Sequence, residues 1–131
     1  MSRLSFPEES MNISVSVPVY PTETREKVKQ ALENLFPTLQ FIDSEEGFSA
    51  SSQDKKVLDT VKMLLEKQRI RDTARDILIK TTRGNTLTMS LNKQAAYMGK
   101  VNFSSQCPLD PIVVSVTSDD IQSVIRYLTG K

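Results

Sequence analysis

Residues 12–19, NISVSVPV, alternate in character: Ile13, Val15, Val17 and Val19 fall on one side, Ser14 and Ser16 on the other. Successive side chains of a strand point to opposite faces, and β-branched residues suit a pleated, half-buried surface. Such a segment belongs in a sheet with one face on a core and the other in water, and the rest of the chain must supply that core. Pro18 weakens the end of the strand and suggests an edge or a frayed terminus. A second stretch repeats the constraint. Thr86 to Leu91 sets Leu87, Met89 and Leu91 against Thr86, Thr88 and Ser90, after a Gly84-Asn85 turn signal. Val101 and Phe103 resume the alternation with Lys100 and Asn102 on the polar side. Gly84 to Phe103 therefore reads as two strands joined by Asn92-Lys93-Gln94, whose side chains have no evident structural task.

Between these strands the apolar period changes to that of a helix. After Tyr20-Pro21, Thr22 is a candidate N-cap with Glu23 and Glu26 suited to the positive helix end, and Val28, Ala31, Leu32 and Leu35 form one buried stripe that Pro37 stops. Leu39, Phe41 and Ile42 start a short strand, Asp43 to Gly47 is an acidic turn, and Phe48 to Ala50 continues the strand beyond it. Ser51 or Ser52 is the expected cap of the next helix, whose stripe is Val57, Leu58, Val61, Leu64 and Leu65. Ile70, Ala74, Ile77 and Leu78 form a second stripe nearly opposite the first. One straight helix would be apolar on two faces, so the spacing predicts a break near Lys67–Arg69 and two helices in sequence. Lys80 to Asn85 is a basic turn containing Arg83; Pro108-Leu109-Asp110-Pro111 is a rigid connection; Ile112 to Val116 is a strand. Ser118 then caps a last helix with Ile121, Val124, Ile125 and Leu128 on its core face, ended by Gly130.

This order gives an α+β fold: a mostly antiparallel sheet with helices packed on one face. Residues 1–10 are expected to be a disordered or irregular leader, and 11–131 a single domain, which suits a chain of 131 residues.

Several chemistries are excluded. Histidine is absent, which removes the commonest general base, every Ser-His-Asp or Cys-His arrangement and most zinc sites. Four glycines leave no Gly-rich phosphate loop. The acidic turn has no calcium-loop spacing, so no cofactor or metal is expected, nor an enzyme. Cys107 is the lone cysteine and forms no disulfide within the chain. There is no run of about 18 apolar residues and no signal-peptide core, so a cytoplasmic protein without a membrane partner is expected.

Net charge is +1, so nucleic-acid binding requires a local basic patch. On the second helix of the pair, Gln68, Arg71 and Arg75 share the side away from the apolar stripe, with Asp72 nearby and Arg69 further round. One reading is a solvated face with acidic partners; the other is an anion site, for which arginine's planar fork is suited to phosphate. The sheet face away from the helices carries Ser14, Ser16, Thr86, Thr88, Ser90, Lys100, Asn102 and Ser115, and none of its outward positions is aromatic. Base stacking of the kind seen on common RNA-recognition sheets is not expected there. The face is open to three readings: RNA held by backbone and 2′-hydroxyl contacts, a solvated surface, or a dimer contact.

The blocks VYPTE (19–23), ENLFP (33–37), QRIRDTAR (68–75), LNKQAA (91–96), GKVNF (99–103) and PLDPI (108–112) together resemble uncharacterised protein family 0201. This is an archaeal family associated with RNA binding and, by prediction, with the exosome. The resemblance covers Met11 to about Thr117. It implies a fold similar to the large-subunit ribosomal protein that holds the 5S RNA, and RNA as the partner; it brings no catalytic residues. The family-like polar positions are Gln68, Arg69, Asn92, Lys93, Gln94, Lys100 and Asn102. The expected function is non-catalytic RNA binding linked to RNA processing. Lys93, Lys100, Arg71 and Arg75 would neutralise phosphates, Asn92, Gln94 and Asn102 would bond sugars or base edges, and Gln68 and Arg69 would complete or brace the site. The alternative is a protein-interaction module, a homodimer or a subunit of an RNA-processing assembly, with Tyr20 and Tyr97 or the sheet face at the contact.

Overall fold

In the computed structural model, which describes residues 11–103 and 111–130, the alternating segments pair into one six-stranded antiparallel sheet. The elements in chain order are β1 (Met11–Pro18), α1 (Arg25–Leu35), β2 (Ile42–Asp43), β3 (Gly47–Ser52), a 3₁₀ turn at Lys55–Leu58, α2 (Asp59–Lys67), α3 (Arg71–Thr81), β4 (Thr82–Arg83), β5 (Thr86–Leu91), α4 (Lys93–Tyr97), β6 (Ile112–Ser118) and α5 (Ile121–Thr129). The strand order is β2-β3-β1-β6-β5-β4. The expected α+β architecture is the observed one. The expected leader and the connection through Cys107 to Asp110 lie outside the described residues.

Register aligns the apolar positions into rows. Val15 faces Ala50 on one side and Val114 on the other, and Val114 faces Met89. Ile13, Val15, Leu87, Leu91, Ile112, Val114 and Val116 are fully buried, under the helical stripes of Ala31, Leu32 and Leu35, of Val61 and Leu65, and of Leu128. The opposite face repeats the pattern with hydroxyls: Ser51, Ser14, Ser115 and Thr88 form one cross-strand row, and Ile42, Ser49, Ser16, Val113 and Ser90 another. β1 is central rather than an edge, and Pro18 ends it. The outer strands have two residues each and cover only Phe48–Ser49 of β3 and Thr86–Leu87 of β5.

The β1–β3 pair requires a glycine. Gly47 lies opposite Pro18 at φ 158°, and a Cβ there would sit 2.0 Å from the Val17 carbonyl oxygen. Beside it, the Arg25 guanidinium at the start of α1 lies 5.0 Å over the Phe48 ring and pairs with Asp43, so α1 is docked onto the β2–β3 hairpin.

The structure corrects several expectations about caps and ends. Thr24, not Thr22, is the N-cap of α1. Ser51 and Ser52 belong to β3, and Asp54 caps the 3₁₀ turn by accepting from the Lys56 N–H at 3.0 Å. Asp120 caps α5, while Ser118 ends β6 and accepts from the Asp120 N–H at 3.1 Å. The break between α2 and α3 stands where the two apolar stripes demanded it. Ile70 N–H reaches Leu65 O at 3.0 Å and Arg69 N–H reaches Glu66 O at 3.1 Å, with Arg69 in the left-handed region at φ 59°. This is a Schellman termination with arginine where glycine is usual, which is why no glycine or proline marked the break.

α5 is tied to α2 by Tyr127, whose hydroxyl donates to Asp59 while the ammonium groups of Lys55 and Lys62 lie 4.7 and 5.4 Å from its ring centroid. Burial, then the bond to Asp59, then the charges of Asp59 and Asp54 push the phenol up to about 12. A phenol raised in the folded state favours folding fully below the unfolded value of about 10. That contribution is lost as pH rises through the folded value. Thermal denaturation should therefore show stability falling between about pH 10 and 12, and Tyr127→Phe should flatten that fall relative to wild type.

Candidate nucleic-acid interface

Two side chains organise this region: Lys93, to which the sequence gave no structural task, and Gln68, expected to complete or brace the site. The first is Lys93. The segment expected to join two strands is instead a short helix, α4, capped by the Asn92 Oδ1, which accepts from the Ala95 N–H at 2.9 Å. Lys93 is its first residue and is only 8% exposed. Its ammonium donates to the Pro18 carbonyl at 2.8 Å and to both oxygens of Glu23 at 2.9 and 3.1 Å. The Tyr20 ring lies 5.4 Å away. An ammonium has three donors, and all three are used inside the protein. The same Glu23 Oε1 accepts from the Tyr20 N–H at 3.0 Å.

The second is Gln68, which follows α2. Its Nε2 donates to Val101 O at 2.9 Å and its Oε1 accepts from Val101 N–H at 2.8 Å. The side-chain amide thus behaves as a neighbouring strand would and occupies both backbone groups of Val101. This is why 101–103, expected as a strand, forms none; its backbone pairs with the sheet at the Leu91–Phe103 bridge. A further bond, Asn92 N–H to Asn102 O at 2.9 Å, ties the start of α4 to the same segment.

These bonds decide which of the sequence-nominated residues meet. Gln68, Arg69, Asn92, Lys100 and Asn102 converge at one junction. Arg69, Lys100 and Asn102 are exposed and adjacent in sequence to the bonded Gln68–Val101 pair, and neither Arg69 nor Lys100 has a side-chain partner among the described residues. Lys100 and Asn102 belong to this junction and not to the open sheet face where the alternation placed them. Arg75 is exposed on α3. Arg71 lies elsewhere: a Cβ on Gly130 would stand 2.5 Å from its Nη1, so the guanidinium rests on the carboxyl end of α5, where a cation is favoured. Gln94 is exposed on the first turn of α4. Lys93 points the other way, into the protein.

A groove of about 490 Å³ opens between the start of α1 and α4, with Thr24, Lys27, Gln94, Tyr97 and Met98 in its lining beside the Glu23–Lys93 pair. The sequence named Asn92, Lys93 and Gln94 as RNA contacts and Tyr97 as a protein contact, but gave no sign of the groove or of Thr24, Lys27 and Met98. Tyr97 ends a five-residue helix too short to show a period and Met98 is its C-cap, while Glu23, read as a helix-end carboxylate, gave no sign of a partner 70 residues away. Among the described residues no cluster of three or more Cys, Asp or Glu is placed to hold a metal ion, and no helix is long and apolar enough to cross a membrane.

Breaking a buried pair leaves an uncompensated charge. Lys93→Met should cost about 3–5 kcal/mol in urea denaturation. Adding Glu23→Gln should return part of that loss, a positive coupling in the double-mutant cycle.

A family model described as RNA binding matches residues 12–118. A UPF0201 protein from Methanothermobacter thermautotrophicus is 42% identical over 118 residues, covering 88% of this chain and 89% of the relative. One from Thermococcus kodakarensis is 38% identical over 123 residues, covering 91% and 89%. Among solved structures, an uncharacterised UPF0201 protein superposes with a TM-score of 0.80 at 34% identity, over 92% of this chain and 94% of the other. The UPF0201 protein from Methanococcus jannaschii gives 0.78 at 32% identity, over 92% and 93%.

Proposed function

This chain belongs to the UPF0201 family, and from that membership together with the basic junction we propose that it is a non-catalytic RNA-binding protein. The observation that carries the reading is the Gln68–Val101 amide pair, which sets Arg69 and Lys100, exposed and without a partner among the described residues, on either side of one rigid contact. Arg75 is a further exposed cation, one turn beyond Arg71 on α3, and Asn102 supplies an amide for sugar or base edges. The description of the matching family model, RNA binding, supports the same reading. Gln68, Asn92 and Lys93 act by holding the shape, and Lys93 takes no phosphate because its donors are spent. A cytoplasmic role in RNA processing accompanies the proposal.

Arg69 separates function from scaffold. Its φ of 59° costs an L-residue about 1 kcal/mol relative to glycine. Arg69→Gly should therefore keep or raise stability, by up to about 1 kcal/mol. It should also weaken RNA binding several-fold and lower the log–log salt slope by about 0.7 on a single strand. Lys100→Ala should do the same to binding without the gain in stability. Fluorescence anisotropy across a salt series checks both, and wild-type affinity and slope in the two variants would remove the proposal.

A second reading, self-association through the open sheet face, is favoured by Ile42, which is 69% exposed there in the same row as Val113. Sedimentation velocity should then show a concentration-dependent dimer that Ile42→Lys abolishes.

A further inference from the structure

The groove beside α4 has the parts that a single unstacked nucleotide needs. We propose that it takes one unpaired nucleotide of an RNA strand whose backbone crosses the Arg69–Lys100 junction; this rests on the RNA-binding reading above.

The platform is Tyr97, 43% exposed, next to Met98, 71% exposed. Exposed apolar groups side by side in a concave site mark a contact surface, and the volume of about 490 Å³ is that of ligand sites. The ring is carried on a fixed base. Asn34 Nδ2 on α1 donates to Ala96 O and Tyr97 O, both at 3.0 Å, and Asn92 caps the other end of α4. A stacking surface held this way loses little freedom when a base lands on it.

The hydrogen-bonding edge is Gln94, exposed and without a side-chain bond among the described residues. Asn92 joins it, because capping uses its Oδ1 and leaves its amide N–H groups. The charge is Lys27. Glu23 and Lys93 neutralise each other in the lining, so Lys27 is the uncompensated cation of the groove. Its Nζ lies 5.9 Å from the Tyr97 centroid, a loose contact from which it can turn to a phosphate.

Two features favour a nucleotide in a strand over a free one. Asn92 lines the groove and also bonds through its N–H to Asn102 O, so groove and junction are continuous. The groove has one cation not paired with a carboxylate in its lining, Lys27, which suits a monoanionic diester better than a terminal phosphate. The hydroxyl face of the sheet has no aromatic among the described residues and offers no such platform.

The test uses a hairpin RNA with 2-aminopurine at an unpaired loop position and a fully paired duplex of the same stem. Binding is read by anisotropy and stacking by 2-aminopurine quenching. Wild type should quench the loop base. Tyr97→Leu should abolish the quench and lower loop-RNA affinity about ten-fold, leave duplex affinity and the salt slope unchanged, and Tyr97→Phe should restore both. Lys27→Ala should weaken loop binding with the quench retained. Circular dichroism checks that each variant folds. Absence of any salt-dependent RNA binding would end the RNA-binding reading itself. Salt-dependent binding that Tyr97→Leu leaves intact, with the quench unchanged, would overturn only the groove assignment. Adenosine monophosphate saturating the groove as tightly as the hairpin would overturn the assignment to a strand.

Discussion

One buried ammonium keeps three separate parts of this chain together. Lys93 joins the last carbonyl of β1 to the carboxylate of Glu23 and starts α4. Glu23 in turn accepts from the Tyr20 N–H, which shapes the turn between β1 and α1. A buried ion pair seldom stabilises more than an apolar replacement would, whereas a broken one is costly. Its effect here is to select one arrangement: α4, only five residues long, cannot hold its place by its own backbone bonds. The position of Tyr97 and the form of the groove depend on that selection.

Gln68 plays the corresponding neutral part. A side-chain amide carries a donor and an acceptor in the geometry of a peptide group, and here it pairs with Val101 as a strand would. The segment 100–102 is thereby fixed without joining the sheet, and the turn at Arg69 is anchored to it. Charge and amide cooperate on the two flanks of one region. Lys93 fixes α4 against α1, and Gln68 fixes the α2–α3 turn against 100–102. The Asn92 N–H to Asn102 O bond links the two.

What the sequence made legible follows from this. Strands β1 and β5 and the stripes of α1, α2 and α5 were readable because burial is periodic along the chain, and periodicity survives without knowledge of partners. The break before α3 was readable because two stripes cannot share one straight helix. The site was less so. Lys93 looked idle because its partners, Pro18 and Glu23, lie 75 and 70 residues away. Val101 and Phe103 alternated as a strand does, but alternation says nothing about who takes the backbone bonds, and Gln68 takes those of Val101. The convergence of 68–69 with 100–102 rests on that single side chain. Arg71 and Arg75, four apart, looked equivalent until Gly130 showed where the Arg71 guanidinium rests.

The distribution of cations also limits the kind of RNA contact the protein can make. A net charge of +1 gives little long-range attraction for a polyanion. The fold then withdraws Lys93 from the surface and lays Arg71 on the end of α5. What remains near the junction is a few separated cations and several amides, too sparse for tight sequence-independent binding to a phosphate backbone. Under that constraint, useful affinity has to come from groups that read something other than charge: an aromatic ring, free amide edges and a fixed concave shape. These are the groups that surround the groove, so a junction with few cations suits selective recognition of an unpaired base better than a general coat for duplex RNA.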